Sequence, residues 1–285
     1  MNSFTDQLNR KLELSSTPKR IISLVPSQTE LLYDLGLRDE VVGITKFCIH
    51  PEEWFRSKTR VGGTKKYDFE KIKALQPDLI IGNKEENEQE QIEELMKHYP
   101  VWMSDIYTLK DAYDMITRVG ALVGKTQEAT NLKLEIESKF HQFENLPPAP
   151  SKGGQALQIN SALHSPNSKL RTAYLIWNNP YMVAGHDTFI NEILKLNGLE
   201  NVFANKVSRY PEISNEELIA ANPDLILLSS EPYPFKEKHI QVFRKLLPNV
   251  KIMIVDGEIF SWYGSRLLKA PEYFKQLFEK LSSMR

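Results

Sequence analysis

FEKIKALQPDLIIGNKEEN (69–87) is the stretch that decides the fold, because NEELIAANPDLILLSSEPY (215–233) repeats its pattern. In each copy a short helical segment runs into Gln or Asn, then Pro-Asp-Leu-Ile, then an apolar run of strand length. Each copy also carries a glutamate seven residues before its proline, at Glu70 and Glu216. An internal duplication of one helix–strand unit predicts two domains of the same α/β design.

The segment between the two copies predicts one long helix over 126–146, with Thr126 as its N-cap. It has no Gly or Pro before Pro147, and its apolar residues follow steps of three and four: Ala129, Leu132, Ile136, Phe140 and Phe143. Such a helix spans about 30 Å. We expect it to be a rigid connection between two lobes, although its spacing fits an ordinary surface helix of one large α/β domain equally well.

Apolar runs and helical segments alternate along the rest of the chain, which predicts parallel sheets with right-handed crossovers. Asp68 and Ser214 are the expected N-caps of the repeated helices, and Ser27 with Glu30 predicts a capping box before another helix. In the helix predicted at 109–123, Gly120 should cost about 1 kcal/mol relative to Ala.

The predicted fold class is α/β, with two parallel-sheet sandwich lobes, one long helix joining them and a ligand cleft between the lobes. Ligands bind outside the carboxyl ends of parallel strands, and in two facing lobes those ends can line a shared cleft. The predicted domains are a polar N-terminal arm (1–19), an N-terminal lobe (20–125), the helix (126–146), an inserted loop (147–170) and a C-terminal lobe (171–285).

Composition excludes several classes of function. The chain has 285 residues, 41% hydrophobic and 26% charged, with a formal net charge of −1, so no positive field favours nucleic acid. Cys48 is the only cysteine, so no intrachain disulfide is possible. The first twenty residues lack the apolar core of a signal peptide, which predicts a cytoplasmic protein unless a leader precedes them.

Several further stretches together resemble a known family. They are RIISLVPSQTELLYDLGL (20–37), CIHP (48–51), PYMVAG (180–185), YPEISNEELIAANPDLIL (210–227) and FSWYGSRLL (260–268). The chain resembles the helical-backbone substrate-binding proteins that serve ABC importers of cobalamin, haem and ferric siderophores, and it is most similar to the cobalamin-binding branch.

The resemblance implies a monomeric, non-enzymatic protein that binds a corrinoid or another metal chelate and holds no covalent cofactor. It also implies a periplasmic or cell-surface location and an ABC permease that docks on Glu70 and Glu216. A carboxylate in a first helical turn also stabilises the helix dipole, which alone would account for one of these glutamates.

Aromatic residues are concentrated after the predicted strands, as a flat macrocyclic ligand requires. Arg266 is expected to pair with ligand carboxylates, or else to be solvated. Where the cobalamin-binding branch has tryptophans near positions 64 and 83, this chain has Thr64 and Asn83, which predicts a more polar cleft. The predicted ligand contacts are Phe47, Cys48, His50, Thr64, Tyr67, Asn83, Trp177, Tyr181, His186, Tyr210, Trp262, Tyr263 and Arg266.

Cys48, His50 and His186 have side chains that bind transition metals, although a buried cysteine and two polar loop histidines explain them more simply. No metal site independent of a chelate is expected. Two alternatives stay open: a leaderless metal-chelate carrier, and an enzyme with Cys48 as nucleophile and a histidine as base. Against the enzyme, the sequence has no Gly-x-Ser-x-Gly elbow, Walker A loop or dinucleotide fingerprint.

Overall fold

A computed structural model describes residues 2–145 and 169–284. The chain divides into two compact units: unit 1 is Met1–Glu137 with Trp262–Leu267, and unit 2 is Ser138–Ser261 with Leu268–Arg285. The loop predicted at 147–170 lies outside the described residues except for its last two positions. Within the described ranges, no helix is long and apolar enough to cross a membrane.

Unit 1 is built on a sheet of five parallel strands in the order β5-β4-β3-β6-β7. The central strands β3 and β6 are buried along their whole length, as continuous apolar runs predict. Its elements are β1 (Asn2–Thr5), β2 (Lys11–Leu14), β3 (Ile21–Ser23), α1 (Pro26–Asp34), β4 (Val41–Ile44), α2 (Glu52–Ser57), β5 (Thr59–Arg60), α3 (Phe69–Leu75), β6 (Leu79–Asn83), α4 (Gln89–Met96), β7 (Val101–Ser104), α5 (Leu109–Leu122) and the first part of α6 (Thr126–Glu144).

The polar segment at the N-terminus is a β-hairpin, which the sequence did not indicate. Strands β1 and β2 pair antiparallel. The amide of Gln7 donates to the carbonyl oxygen of Met103 at 3.1 Å, and the amide of Asp105 donates to Gln7 Oε1 at 3.1 Å. These bonds attach the hairpin to the end of β7.

Unit 2 contains a six-stranded sheet in the order β11-β9-β8-β12-β13, with β10 also beside β8. The pairs β10–β8, β8–β12 and β12–β13 are parallel, whereas the pairs β8–β9 and β9–β11 are antiparallel, so this sheet is mixed. Its elements are the rest of α6, β8 (Leu170–Asn178), β9 (Tyr181–Val183), α7 (Phe189–Leu196), β10 (Leu199–Asn201), β11 (Glu212–Ile213), α8 (Asn215–Ala221), β12 (Leu225–Ser229), α9 (Glu237–Leu246), β13 (Lys251–Val255), α10 (Gly257–Ser261) and α11 (Ala270–Ser283).

The duplicated stretches adopt the same local structure. Helices α3 and α8 have seven residues each, and their N-caps accept backbone amide hydrogen bonds through the side chains of Asp68 and Ser214, as predicted. Each helix ends at a residue in the left-handed region, Gln76 with φ 45° and Asn222 with φ 44°. The following proline cannot continue the helix, and the next strand begins.

An arginine and an aspartate close each repeat in the same way. The Asp78 carboxylate accepts the amide of Arg20 at 2.8 Å, and the Arg20 side chain donates to the carbonyl of the last residue of α3 at 2.8 Å. In the second copy Asp224 accepts the amide of Arg171 at 2.9 Å, and the Arg171 guanidinium donates to the last residue of α8 at 2.7 Å. Each arginine lies at the start of a central parallel strand, so this contact sets that strand beside its neighbour.

The capping box predicted at Ser27 and Glu30 is wrong. Helix α1 begins at Pro26, two residues before the start that an N-cap at Ser27 predicts, and its N-cap Val25 makes no side-chain cap bond. The fixed φ of proline suits the first helical position, so the helix starts at Pro26 and Ser27 already lies inside it. The Glu30 side chain is instead bound to Arg266.

The long helix is confirmed as α6, which runs without a break from Thr126 to Glu144, so Thr126 is its first residue and not the predicted N-cap. Its predicted apolar stripe is largely buried, with Ala129, Ile136, Phe140 and Phe143 all at 5% exposure or less. The division between the units falls inside this helix, after Glu137.

Gly120 provides a test of packing against helix propensity. A Cβ added at this position would overlap the Cβ of Ala129 on α6 and lie 3.0 Å from the Lys125 carbonyl oxygen. Propensity alone predicts that Gly120→Ala stabilises by about 1 kcal/mol. The overlap predicts the opposite sign, a loss of about 1 to 3 kcal/mol in chemical denaturation. Thr117→Ala, at an exposed position of α5, is the control and should leave stability unchanged or slightly raised. A stabilised Gly120→Ala protein would contradict the observed contact.

Candidate functional site

The parallel sheet of unit 1 brings several predicted ligand contacts to one edge. Every strand of this sheet is parallel to its neighbours, so the carboxyl ends and the loops that follow them lie together. The segment Trp262–Leu267 also belongs to this unit and packs against these loops. The predicted contacts that unit 1 groups in this way are Phe47, Cys48, His50, Thr64, Tyr67, Asn83, Trp262, Tyr263 and Arg266.

Asn83, at the end of β6, builds the loop that follows. Its side chain is 1% exposed and donates to Ser104 Oγ at 2.9 Å, while its Oδ1 accepts the amide of Glu85 at 2.8 Å. Gln28 from α1 donates to the same Ser104 hydroxyl at 2.6 Å. Asn83 was predicted as a polar ligand contact. Its buried side chain instead supports the loop that follows β6.

Tyr67 and Thr64 form the loop after β5. The Tyr67 hydroxyl donates to the Thr64 carbonyl oxygen at 2.8 Å. Burial, with smaller contributions from Glu86 and Glu88, raises the pKa of Tyr67 far above its ordinary value, so the phenol stays neutral. In this turn Thr64 is half-buried, and Lys65 and Lys66 are exposed to solvent.

Cys48 is a packing residue, which corrects its predicted place as a ligand contact and possible nucleophile. The residue is fully buried, and its sulfur lies 3.1 Å from the hydroxyls of both Thr29 and Thr45. Burial raises the pKa of the thiol to about 11, so the reactive thiolate is absent near neutral pH. Its neighbours Phe47 and Ile49 are exposed by 50% and 44% and carry the accessible surface of this loop.

Arg266 already has an anionic partner inside unit 1. Its guanidinium makes two hydrogen bonds to Glu30, Nε to Oε2 at 2.8 Å and Nη2 to Oε1 at 2.9 Å, and both side chains are buried. The guanidinium also lies over the Trp262 ring, 4.5 Å from its centroid. Because Glu30 balances its charge, Arg266 does not present a free cation to ligand carboxylates, which corrects that prediction.

Trp262 and Tyr263 are held by contacts with other parts of unit 1. The His50 ring meets the Trp262 ring edge-on with centroids 5.7 Å apart. The Tyr263 hydroxyl donates to Glu86 at 3.1 Å, and burial raises the pKa of that phenol well above its ordinary value. Both residues are at most 6% exposed.

In unit 2, an exposed indole stands at the end of β8. Trp177 is 39% exposed, and its Nε1 donates to the Asn179 carbonyl oxygen at 3.2 Å. Its ring packs edge-on against Tyr233 with centroids 5.6 Å apart, and the Tyr233 hydroxyl lies 3.1 Å from His239 Nε2. Tyr233 and His239 were not predicted as neighbours of Trp177. They follow β12, whereas Trp177 lies on β8, so no local sequence pattern links them to it.

The other predicted contacts of unit 2 are partly accessible. Tyr181 is half-buried, with its ring 5.0 Å from that of Phe243, and Tyr210 is also half-buried. His186 Nδ1 lies 2.7 Å from the Asp187 carboxylate. Within residues 2–145 and 169–284, no group of three or more His, Cys, Asp or Glu side chains could hold a metal ion.

Glu70 and Glu216 occupy matching exposed positions in the first turns of α3 and α8. A hydrogen bond from the Ser214 side chain lowers the pKa of Glu216, which keeps that carboxylate charged at neutral pH. The repeat thus displays one acidic side chain on each unit.

The buried thiol of Cys48 gives a pH-dependent prediction. Its pKa is about 11 in the folded protein and about 9 when the chain unfolds, so the unfolded state loses its proton first. The contribution of the buried neutral thiol to the free energy of unfolding is fully present below about pH 9 and is lost as the pH rises to about 11. Its total is about 2 to 3 kcal/mol, because one pKa unit corresponds to about 1.4 kcal/mol.

Chemical denaturation of the unaltered protein and of Cys48→Ala between pH 7 and 11 measures this difference. The unaltered protein should lose stability more steeply than the variant above pH 9. Parallel profiles for the two proteins would contradict the burial of the thiol.

Comparisons with known proteins identify a family whose model matches most of this sequence. The model of the periplasmic binding protein family matches residues 21–245. A vitamin B12-binding protein of Pectobacterium atrosepticum is 24% identical over 256 residues, which cover 90% of this chain and 86% of the relative.

Solved structures share the fold. A periplasmic haem-binding protein from Pseudomonas aeruginosa has a TM-score of 0.75 at 19% identity and covers 94% of each chain. A siderophore-binding protein, bound to a complex of two acinetobactin molecules with ferric iron, has a TM-score of 0.72 at 19% identity, over 96% of this chain and 97% of that one. All three proteins are named for binding, which agrees with the prediction of a binding protein and not an enzyme. Because the family model spans most of the sequence, this chain belongs to the periplasmic binding protein family.

Proposed function

We propose that this protein captures a metal chelate and delivers it to an ABC import system, with a corrinoid as the first candidate and haem or a ferric siderophore as the others. The names of the relatives support this range of ligands, since they bind vitamin B12, haem and a ferric siderophore. The proposed binding surface is formed by the loops that follow the parallel strands.

The observation that carries the proposal is an exposed aromatic ring at the carboxyl ends of the strands in each unit. Phe47 follows β4 in unit 1, and Trp177 ends β8 in unit 2. A large side chain left in water at such a position gives flat apolar area with few rotatable bonds, which suits a macrocycle. The Trp177 ring is also fixed by Tyr233, so little ordering is needed when a ligand binds.

The pairing of Arg266 is one reason to place a corrinoid before haem, whereas the exposed Lys46, whose ammonium lies 5.0 Å from the Phe47 ring centroid, can meet a ligand carboxylate. Haem carries two propionates, whereas the corrin periphery carries mainly amides. Arg266 is paired with Glu30 and is not a free counter-ion for a propionate. Thr64 and Asn83, which stand where the cobalamin-binding branch has tryptophans, spend backbone and side-chain bonds on the loops themselves. These two polar positions do not add to the case for a corrinoid.

The proposed partner surface is Glu70 with Glu216. Two exposed carboxylates at matched helix positions offer the same anionic contact on both units, as a permease with paired basic residues requires.

Titration with cobalamin, cobinamide, haemin and ferric siderophores tests ligand capture. At least one of them should quench tryptophan fluorescence saturably, at one ligand per chain. Phe47→Ala and Trp177→Ala should each weaken that binding by about tenfold, since a lost contact of about 1.4 kcal/mol corresponds to that factor.

Leu134→Ala and Val242→Ala are the controls, because they truncate exposed apolar side chains on helices α6 and α9. They should bind like the unaltered protein. Failure of every ligand to bind the unaltered protein would refute the proposal, and so would full binding by the Phe47→Ala, Trp177→Ala double variant.

Uptake of the identified ligand by cells of the native strain tests the partner surface. Replacing both glutamates, Glu70→Ala with Glu216→Ala, should lower uptake at least tenfold while ligand affinity stays unchanged, because the exposed carboxylates lie outside the strand-end loops. Glu90→Ala is the matched control, an exposed first-turn acid of α4 outside the repeat. Equal uptake by the double variant and the control would contradict this assignment.

A further inference from the structure

We propose that Glu30 and Arg266 are a positioning pair, which fixes the segment Trp262–Leu267 on α1 and thereby sets the orientation of Trp262 and Tyr263 beside the strand-end loops. The effect of this pair on ligand release rests on the proposed function. Its effect on the position of the segment does not. Arg266 would thus act through the aromatic residues and not as a direct ligand contact.

The segment lies along one face of α1. Ser27, Glu30, Leu31 and Asp34 are spaced by three, one and three residues, so they share a helix face. A Cβ added at Gly264 would lie 2.7 Å from the Ser27 carbonyl oxygen and 3.4 Å from the Leu31 Cβ. The segment therefore approaches the helix backbone as closely as only glycine permits.

Polar contacts fix the register on this face. The Ser265 hydroxyl donates to the Asp34 carboxylate, and the Arg266 guanidinium binds Glu30 one turn before it. Paired hydrogen bonds to a planar guanidinium specify orientation as well as position. Serine and arginine thus meet two successive turns of α1, and a shift of the segment by one residue would break both contacts.

The same guanidinium supports Trp262. It lies over the indole at 4.5 Å, while the His50 ring meets the indole edge-on. Glu30 binds Arg266, and the Arg266 guanidinium packs on the indole, so the carboxylate on α1 helps to fix the ring through Arg266. Tyr263 gains a further bond to Glu86 on the loop after β6.

The buried Glu30–Arg266 ion pair is better explained by its geometry than by its contribution to stability. Well-packed apolar residues often replace a buried ion pair at no cost in stability, so stability alone gives weak reason for one. A bidentate pair supplies fixed geometry, which an apolar contact or a lysine does not reproduce.

The test compares Glu30→Gln and Arg266→Lys with the unaltered protein. Three quantities are measured: hydrogen exchange of the amides of 262–267, the emission of Trp262 assigned by difference with Trp262→Phe, and the dissociation rate of whichever ligand the titration identifies. Asp6→Asn is the control, because it removes another buried carboxylate of unit 1, which is paired with Arg10 in the N-terminal hairpin.

Both variants should exchange the segment at least tenfold faster, shift Trp262 emission to the red and release ligand about tenfold faster. The control should change none of these, even where it lowers the melting temperature equally. The reversed pair, Glu30→Arg with Arg266→Glu, should recover part of the exchange protection that each of these single changes loses.

Unchanged exchange and emission in folded Glu30→Gln would overturn the proposal, as would equal changes in the Asp6→Asn control. Faster exchange with an unaltered ligand dissociation rate would overturn the effect on the ligand. If Glu30→Gln does not fold, Arg266→Lys, which keeps the charge, decides by the same criteria. If the unaltered protein binds no ligand, the proposed function fails, and the exchange and emission measurements still decide whether the pair positions the segment.

Discussion

The return from one parallel strand to the next is the constraint on which both units depend. Parallel neighbours require a crossover that carries the chain back to the starting edge of the sheet. In both repeats the chain ends this return with a seven-residue helix, a left-handed residue and Pro-Asp. The aspartate then binds the backbone of Arg20 in unit 1 and of Arg171 in unit 2. With the strands started at one edge, their carboxyl ends and the following loops collect at the other, where the candidate site lies.

Local patterns made much of this fold predictable. The duplication, both repeat N-caps, the central strands and the long helix are visible because each depends on residues within a few positions of one another. The Arg20 and Arg171 contacts were not foreseen, although each arginine lies at the start of a central parallel strand and could have been recognised by aligning the two repeats. The β8–β9 hairpin was missed for a related reason, since the apolar run predicts a strand but not its antiparallel neighbour.

The site was harder to predict than the fold. Glu30 and Arg266 are 236 residues apart, so no local sequence pattern indicates that they pair. Glu30 was instead predicted to be part of a capping box. Cys48 was a candidate ligand contact with a buried cysteine as the alternative, and its side chain does turn into a polar cluster under its loop. Burial of loop side chains depends on neighbouring strands and is invisible to local periodicity. Phe47 and Trp177, by contrast, were predicted as ligand contacts, and both are exposed.

These placements describe the proposed binding surface as one supported by internal polar contacts. Asn83, Tyr67 and Arg266 use their polar groups to hold the loops and the Trp262–Leu267 segment, which leaves exposed aromatic area for a ligand. The candidate nucleophile is a buried, neutral thiol. Such an arrangement can hold a large molecule but offers no activated group at Cys48 to transform it, in keeping with the periplasmic binding protein family.

The central claim is that this family member selects and carries an unaltered metal chelate. Native mass spectrometry of the protein, mixed with equal amounts of cobalamin, cobinamide, haemin and a ferric siderophore, tests it most directly. The account predicts one predominant complex, with one chelate per chain and the mass of the intact ligand. A spectrum with the free chain alone, or with a chemically altered ligand released from it, would contradict the account.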